Sequence, residues 1–348
     1  MQTSLSLRSL SLISLYLNRR AFLWQMAMGA GLAVSNGGCQ QAQSVAHLRI
    51  GINDWIGYAI ARYAQSSGIL EKRGLQVDFI EFLNLQDATR AMLRGALDAT
   101  FTTTWDLLHS GLPDEQPVIL MVCDISNGAD GIVARSPLKT MPDLKGKRVG
   151  VKLGTINELI LLEALKQYDI PLQTIKIVDI SNQIAANQLK KNLIDAAVLW
   201  QPLLTQTAKD IQGSILYTTQ DQDSLVVDVL ATRKAFFQQK QAVISRFLWA
   251  WFDTMAILQK TPAVIFESLA KTLGYSSVDL MQDYAGVKPG TLALNRQFFG
   301  QNQRMQKILK ETLELSTFNS YHSHVVHQNL LIPNHFILQA IEQWQAPV

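Results

Sequence analysis

The chain has 348 residues, 48% hydrophobic and 17% charged, which is length enough for two domains with cores of ordinary size. The formal net charge is only +3 and no block of basic residues stands out, which argues against nucleic acid as a partner. Two distant cysteines, Cys39 and Cys123, make no disulfide framework.

The first stretch reads as a targeting segment. Asn18-Arg19-Arg20-Ala21-Phe22-Leu23 resembles a twin-arginine export signal. The apolar, small-residue run Ala21–Val34 has the length of a signal h-region and is short for a membrane span. Asn36-Gly37-Gly38-Cys39 followed by QQAQS resembles a lipoprotein processing site, with Cys39 as the lipid attachment point. Ordinary signal cleavage nearby is the alternative. Residues 1–38 are thus expected to be an export signal and 39–45 a lipid-anchor linker.

Strands and helices then alternate. His47–Asn53 has strand alternation, Asp54–Tyr58 (DWIGY) is its turn, and Ala59–Ser67 is a helix stopped by Gly68. Leu75–Phe82 is a strand, Asp87–Gly95 a helix ending on glycine, Ala99–Thr103 a strand and Trp105–Ser110 a short helix. Val118–Asp124 is a buried-type strand that keeps Cys123 as an inert thiol. Gly131–Arg135 is expected to continue the same sheet, and Ser136–Met141 to cross to a second lobe.

The second lobe is the clearest stretch. Arg148–Leu153 is a β run broken by Gly154-Thr155, and Ile156–Tyr168 is a helix ended by Ile170-Pro171. Ile175–Ile180 is a second strand, Ser181-Asn182 caps a helix to about Lys191, and Ile194–Trp200 is a third strand closed by Pro202. This alternation predicts a parallel, doubly wound sheet, which binds ligands at the carboxyl ends of its strands. Thr155 stands at such an end, where the positive end of a helix dipole faces the crevice. Leu225–Thr232 crosses back. The remainder is helical over Arg233–Gln238, Ala242–Gln259, Pro262–Leu273, Ser277–Ala285 and Asn302–Thr317, with Trp249, Trp251 and Phe252 as core residues.

DLKGKRVGV, then GT before a helix, then DAAVLWQP, resembles the nitrate/sulfonate/taurine family of periplasmic substrate-binding proteins. So do IGINDWIGYAIARYAQSSGILEKRGLQVDFIEF, RAMLRGALDATFTTTWD, SNGADGIVAR and VVDVLAT upstream and downstream of it. The resemblance spans Leu48 to Phe252, and Gln201 stands where relatives often carry Glu. It implies the type II periplasmic-binding-protein fold: two doubly wound α/β lobes, joined by two hinge crossings, with a helical C-terminal region. Lobe 1 would be 46–135 with 229–348, and lobe 2 would be 136–228. It further implies a small-molecule ligand, an ABC importer as partner, a monomer on the periplasmic side of the membrane, and no cofactor.

Strand ends supply the candidate ligand-binding residues: Asp54, Trp55 and Tyr58; Thr103 and Trp105; Asp124 and Asp130; Thr155 and Glu158; Trp200, Gln201 and Asp228. The family is best known for oxyanions, which Thr103, Thr155 and helix N-termini would suit. The carboxylates beside Trp55, Trp105 and Trp200 suit an amine or nitrogen heterocycle instead, so ligand charge stays open. No Walker A, H-E-x-x-H, G-x-S-x-G or C-x-x-C pattern is present. His322, His324, His327 and His335 read as surface residues rather than a metal site. A pyrimidine-precursor synthase or a chorismate-dehydratase-like enzyme on the same fold is the alternative, and the export segment argues against both.

Overall fold

A computed structural model of the chain describes residues 44–346 except 111, 113, 114, 221, 223, 302 and 320–328. Arg19, Arg20, Cys39, His322, His324 and His327 lie outside the described residues.

Short β-branched and aliphatic runs punctuated by glycine become strands; longer amphipathic runs become helices. The first half carries β1 (Ala46–Ile52), α1 (Ala59–Ser66), α2 (Ile69–Lys72), β2 (Leu75–Glu81), α3 (Leu85–Leu93), β3 (Ala99–Thr103) and α4 (Thr104–Leu108). Then come β4 (Pro117–Ser126), β5 (Asp130–Ala134), β6 (Arg148–Val151), α5 (Ile156–Gln167), β7 (Lys176–Asp179) and α6 (Asn182–Lys190). The middle closes with β8 (Ala196–Trp200), α7 (Leu203–Asp210), β9 (Ser214–Thr218) and β10 (Val227–Arg233). The tail is α8 (Lys234–Lys260), α9 (Pro262–Leu273), α10 (Ser277–Tyr284), β11 (Val287–Pro289), α11 (Leu292–Phe299), α12 (Arg304–Asn319) and α13 (Asn334–Gln343).

Two sheets result, ordered β11-β4-β10-β3-β1-β2 and β7-β6-β8-β5-β9. β1, β2 and β3 are parallel, as are β6, β7 and β8. The sheets are mixed rather than purely parallel, because β10 runs antiparallel to β3 and β4, and β5 antiparallel to β8 and β9. Both antiparallel strands are the ones that have just crossed from the other sheet.

The first crossing comes earlier than the sequence suggests. β4 ends in the first sheet at Ser126 and β5 opens the second at Asp130, so Gly131–Arg135 does not continue the first sheet and Ser136 lies beyond the exchange. The apolar run of β5 reads the same in either sheet, since periodicity reports burial and not the neighbour. The return lies between β9 and β10, over 219–226. The two crossings are tied together by Ser126 Oγ and Thr219 Oγ1 at 2.7 Å and by the Gly128 amide donating to Thr219 Oγ1 at 2.9 Å.

One apolar core surrounds the first sheet and takes in α8, where Trp251 and Phe252 are buried; two smaller ones cover the faces of the second sheet. The two helices predicted on either side of Gln238–Ala242 form one element with a kink at Lys240. Among the described residues Cys123 is buried and free of any disulfide. Among the described residues no helix is long and apolar enough to cross a membrane.

Candidate functional site

The crossings decide where the site lies. Parallel β1, β3, β6 and β8 present their carboxyl ends to the cleft between the sheets. Antiparallel β5 and β10 present their amino ends to the same edge. Registration then lines up Thr103, Asp228 and Asp124 across β3, β10 and β4, and sets Asp130 opposite Trp200 across β5 and β8.

The first sheet's half is built from the turn after β1. The Trp55 amide donates to Asn53 Oδ1 at 3.1 Å, and the Trp55 indole N–H donates to Asp124 Oδ1 at 3.1 Å. Gly57 makes room for this pair, because a side chain there would strike the Asp124 carboxyl and the Trp55 indole nitrogen. Tyr58, packed on Phe101 with ring centroids 4.8 Å apart, donates its hydroxyl to Asp228 Oδ1. Thr103 caps α4: its Oγ1 accepts the Asp106 amide at 3.0 Å and donates to Asp106 Oδ2 at 2.6 Å.

The second sheet's half starts at Gly154, whose φ of +79° turns β6 into α5 without strain. The Gly154 amide donates to Glu158 Oε2 at 2.6 Å, and Asn157 Nδ2 donates to the Val198 carbonyl at 3.0 Å. Asp106, from the other lobe, stands close enough to the Ile156 amide for that N–H to pull its carboxyl pKa down, while its Oδ1 meets no hydrogen-bond partner among the described residues. The start of α5, whose N–H groups would suit an oxyanion, thus already faces a carboxyl of the protein.

Further bonds cross the cleft. Gln86 Nε2 donates to the Gly154 carbonyl at 3.0 Å, the Ile56 amide to the Gln201 carbonyl at 3.2 Å, and Trp200 Nε1 to Asp54 Oδ1 at 3.0 Å. Gln183 of α6 donates to the other Asp54 oxygen. Two indoles also change sides: Trp105, from α4, packs in the core of the second lobe, and Trp200, from β8, packs in that of the first.

Two pockets flank Leu85, Ile156 and Trp200. One, of ≈ 10 Å³, about the room of a single water, is lined by Asn53, Trp55, Leu85, Thr103, Asp130, Ile156, Trp200, Val226 and Asp228. The other, also of ≈ 10 Å³, is lined by Thr155, Asp106, Lys152, Asn157, Ser181 and Asn182 among others. Of the predicted residues, the first pocket gathers Trp55, Thr103, Asp130, Trp200 and Asp228, and the second Thr155 with Trp200. The rest stand back. Asp124 and Tyr58 lie behind Trp55 and Asp228, Asp54 clamps Trp200 at the rim, and Glu158 bonds its own helix turn. Gln201 Oε1 accepts the Thr205 amide at 3.1 Å, and Trp105 is absorbed by the opposite core.

Asn53, Leu85, Ile156, Val226 and Asp106 escaped sequence reasoning. Thr103-x-x-Asp106 has capping spacing, a signal that could have found Asp106; the other four carry none.

Burial sets the electrostatics. Asp106, Asp124 and Asp130 are pushed up to about 7 by desolvation. Asp228 is pushed well above the usual carboxylate range by desolvation and by the Asp124 charge beside it. Among the described residues no salt bridge reaches any of the four, and no cluster of His, Cys, Asp and Glu is arranged to hold a metal ion.

A family model described as NMT1/THI5 like matches residues 56–264, more than half of the chain. A protein of Brucella abortus (strain 2308), provisionally named a binding protein, is 28% identical over 169 residues, which is 48% of this chain and 52% of that protein. The chain thus spans about half the length of that curated relative. An Escherichia coli (strain K12) protein, provisionally named an aliphatic sulfonates-binding protein, is 24% identical over 282 residues, 77% of this chain and 84% of that one. The solved alkanesulfonate-binding protein SsuA from Xanthomonas axonopodis pv. citri, bound to MOPS, has a TM-score of 0.66 at 17% identity, covering 84% of this chain and 100% of that chain. These relatives agree with the resemblance read from the sequence, and the structural likeness carries the periplasmic-binding-protein fold. By its family match over residues 56–264, this chain is a member of the NMT1/THI5-like family.

Proposed function

We propose that this chain is an exported solute-binding protein that closes two lobes on a small polar molecule and passes it, unchanged, to an ABC importer. One observation carries the reading: a small pocket lies between two lobes joined by two crossings, and both lobes contribute its walls, so that their opening would admit a ligand. Such a joint suits hinge closure, in which the ligand is buried between two faces. The names of the relatives support a solute-binding role. The Arg19-Arg20 pair and Cys39 support export and a lipid anchor on the periplasmic side, with the protein acting as a monomer.

The test is native mass spectrometry of the purified protein together with small-angle scattering. A bound small molecule released unchanged on denaturation, and a smaller radius of gyration with it than without it, support the reading. A molecule converted during incubation, or identical scattering at saturation, refutes it. Replacing Arg19 and Arg20 by lysine is expected to leave precursor in the cytoplasm. Cys39→Ser is expected to free the protein from the membrane fraction, and attachment that persists removes Cys39 as the anchor.

A further inference from the structure

We propose that the pocket between Trp55 and Trp200 takes a small organic cation, an amine, amidine or guanidine, whose N–H groups donate to Asp130 and Asp228. This rests on the solute-binding reading and names its ligand class.

The charged groups that line the pocket are carboxyls. Asp130 and Asp228 are each only 2% exposed, and among the described residues neither Oδ2 has a hydrogen-bond partner. Both line the pocket, on opposite sides of the cleft. A buried carboxylate oxygen without a donor is costly, and a bound N–H supplies that donor. Among the described residues no lysine or arginine lines this pocket. The two indoles add ring faces that attract a cation, and Leu85, Ile156 and Val226 give an apolar wall for the ligand's carbon part.

An anion meets the opposite. The start of the nearest helix faces the Asp106 carboxyl, and the Gly154 amide beside it is taken by Glu158. The groups facing Asp228 are Asp106, Asp124, Asp130 and Tyr58, and Cys123 and Tyr284 face Asp124. Among the described residues, the cation that acts on that set is Arg90, on Asp106, and Arg90 is itself spent on Asp87 and the Ser110 carbonyl. An empty pocket therefore keeps protons on its carboxyls, and a cation takes their place on binding. Binding of a cation is then tighter at pH 8 than at pH 5.5.

The experiment uses isothermal titration and thermal shift of the purified protein. The probes are benzamidinium, n-propylammonium and methylguanidinium, set against methanesulfonate and nitrate. Native mass spectrometry identifies any co-purified ligand, which joins the panel. At least one cation is expected to bind, more tightly at pH 8. Asp130→Asn and Asp228→Asn, each checked for native circular dichroism, are expected to weaken it by about tenfold or more, the loss of one charge-assisted bond. Binding of methanesulfonate, nitrate or an anionic co-purified ligand alone overturns the ligand class and leaves the solute-binding reading intact. So does a cation held equally by both variants. No binding by any probe and no co-purified molecule overturns both.

Discussion

Trp105 offers the sharpest test of closure. It belongs to the first lobe by chain position, yet its indole is 2% exposed inside the core of the second. Burying a tryptophan removes about 150–250 Å² from water, worth about 4–6 kcal/mol at 25 cal/mol/Å². One face stays covered in any lobe arrangement, because Trp105 stacks on His109 with centroids 4.1 Å apart. About half of that burial, roughly 2–3 kcal/mol, then depends on the lobes being together. Trp105→Ala is expected to lower the ratio of closed to open protein by about 30–150-fold. Its pocket walls are untouched, since Trp105 lines neither pocket. Calorimetric titration with the bound ligand should show affinity falling by that factor, and scattering should show a larger radius of gyration at equal ligand. Trp105→Phe should retain most of the wild-type affinity. An alanine variant that keeps its far-UV circular dichroism and binds within threefold of wild type, with unchanged scattering, would refute the idea that this indole locks the lobes.

Asp54→Ala removes the acceptor shared by Trp200 Nε1 and Gln183; at about 0.5–1.5 kcal/mol per bond, ligand release should speed up several-fold in stopped-flow tryptophan fluorescence, and an unchanged off-rate would discard this latch. Gly57→Ala forces a methyl group into the Asp124–Trp55 contact. A loss of about 1–3 kcal/mol in urea unfolding is expected, and full stability would mean that the turn relaxes freely. The buried carboxyls set a pH slope. Asp106, Asp124 and Asp130 titrate at about 7 in the folded protein against 3.8 for an ordinary aspartate. The folded state therefore binds more protons than the unfolded chain between those values. Stability is greatest near the acid end of that window, declines as pH rises toward about 7, by at most about 1.4 kcal/mol per pH unit for each group, and then levels off. Ligand-free melting temperatures should be higher at pH 5 than at pH 8, and Asp130→Asn should flatten the profile; the reverse slope would place these carboxylates in contact with cations.

Much of the architecture was legible in the sequence, for a physical reason. Strand and helix differ in side-chain period, and the runs over 148–200 carry those periods cleanly, with glycine and proline at the breaks. Doubly wound topology then sends strand ends to one crevice, and Trp55, Thr103, Asp130, Trp200 and Asp228 line one pocket there. Tertiary structure decided what periodicity leaves open. An apolar run does not name its neighbour, so β5 reads as part of the first sheet yet belongs to the second, and the short β9, β11 and α7 carry no clear period. Strand ends do not say which side chain reaches across a cleft. Only the packed lobes send Trp105 into the opposite core and Asp106 toward the α5 terminus, and only they leave Asp130 and Asp228 each with an oxygen that no group among the described residues meets. Each acid is legible in the sequence; which charges stand around it is a property of everything folded against it.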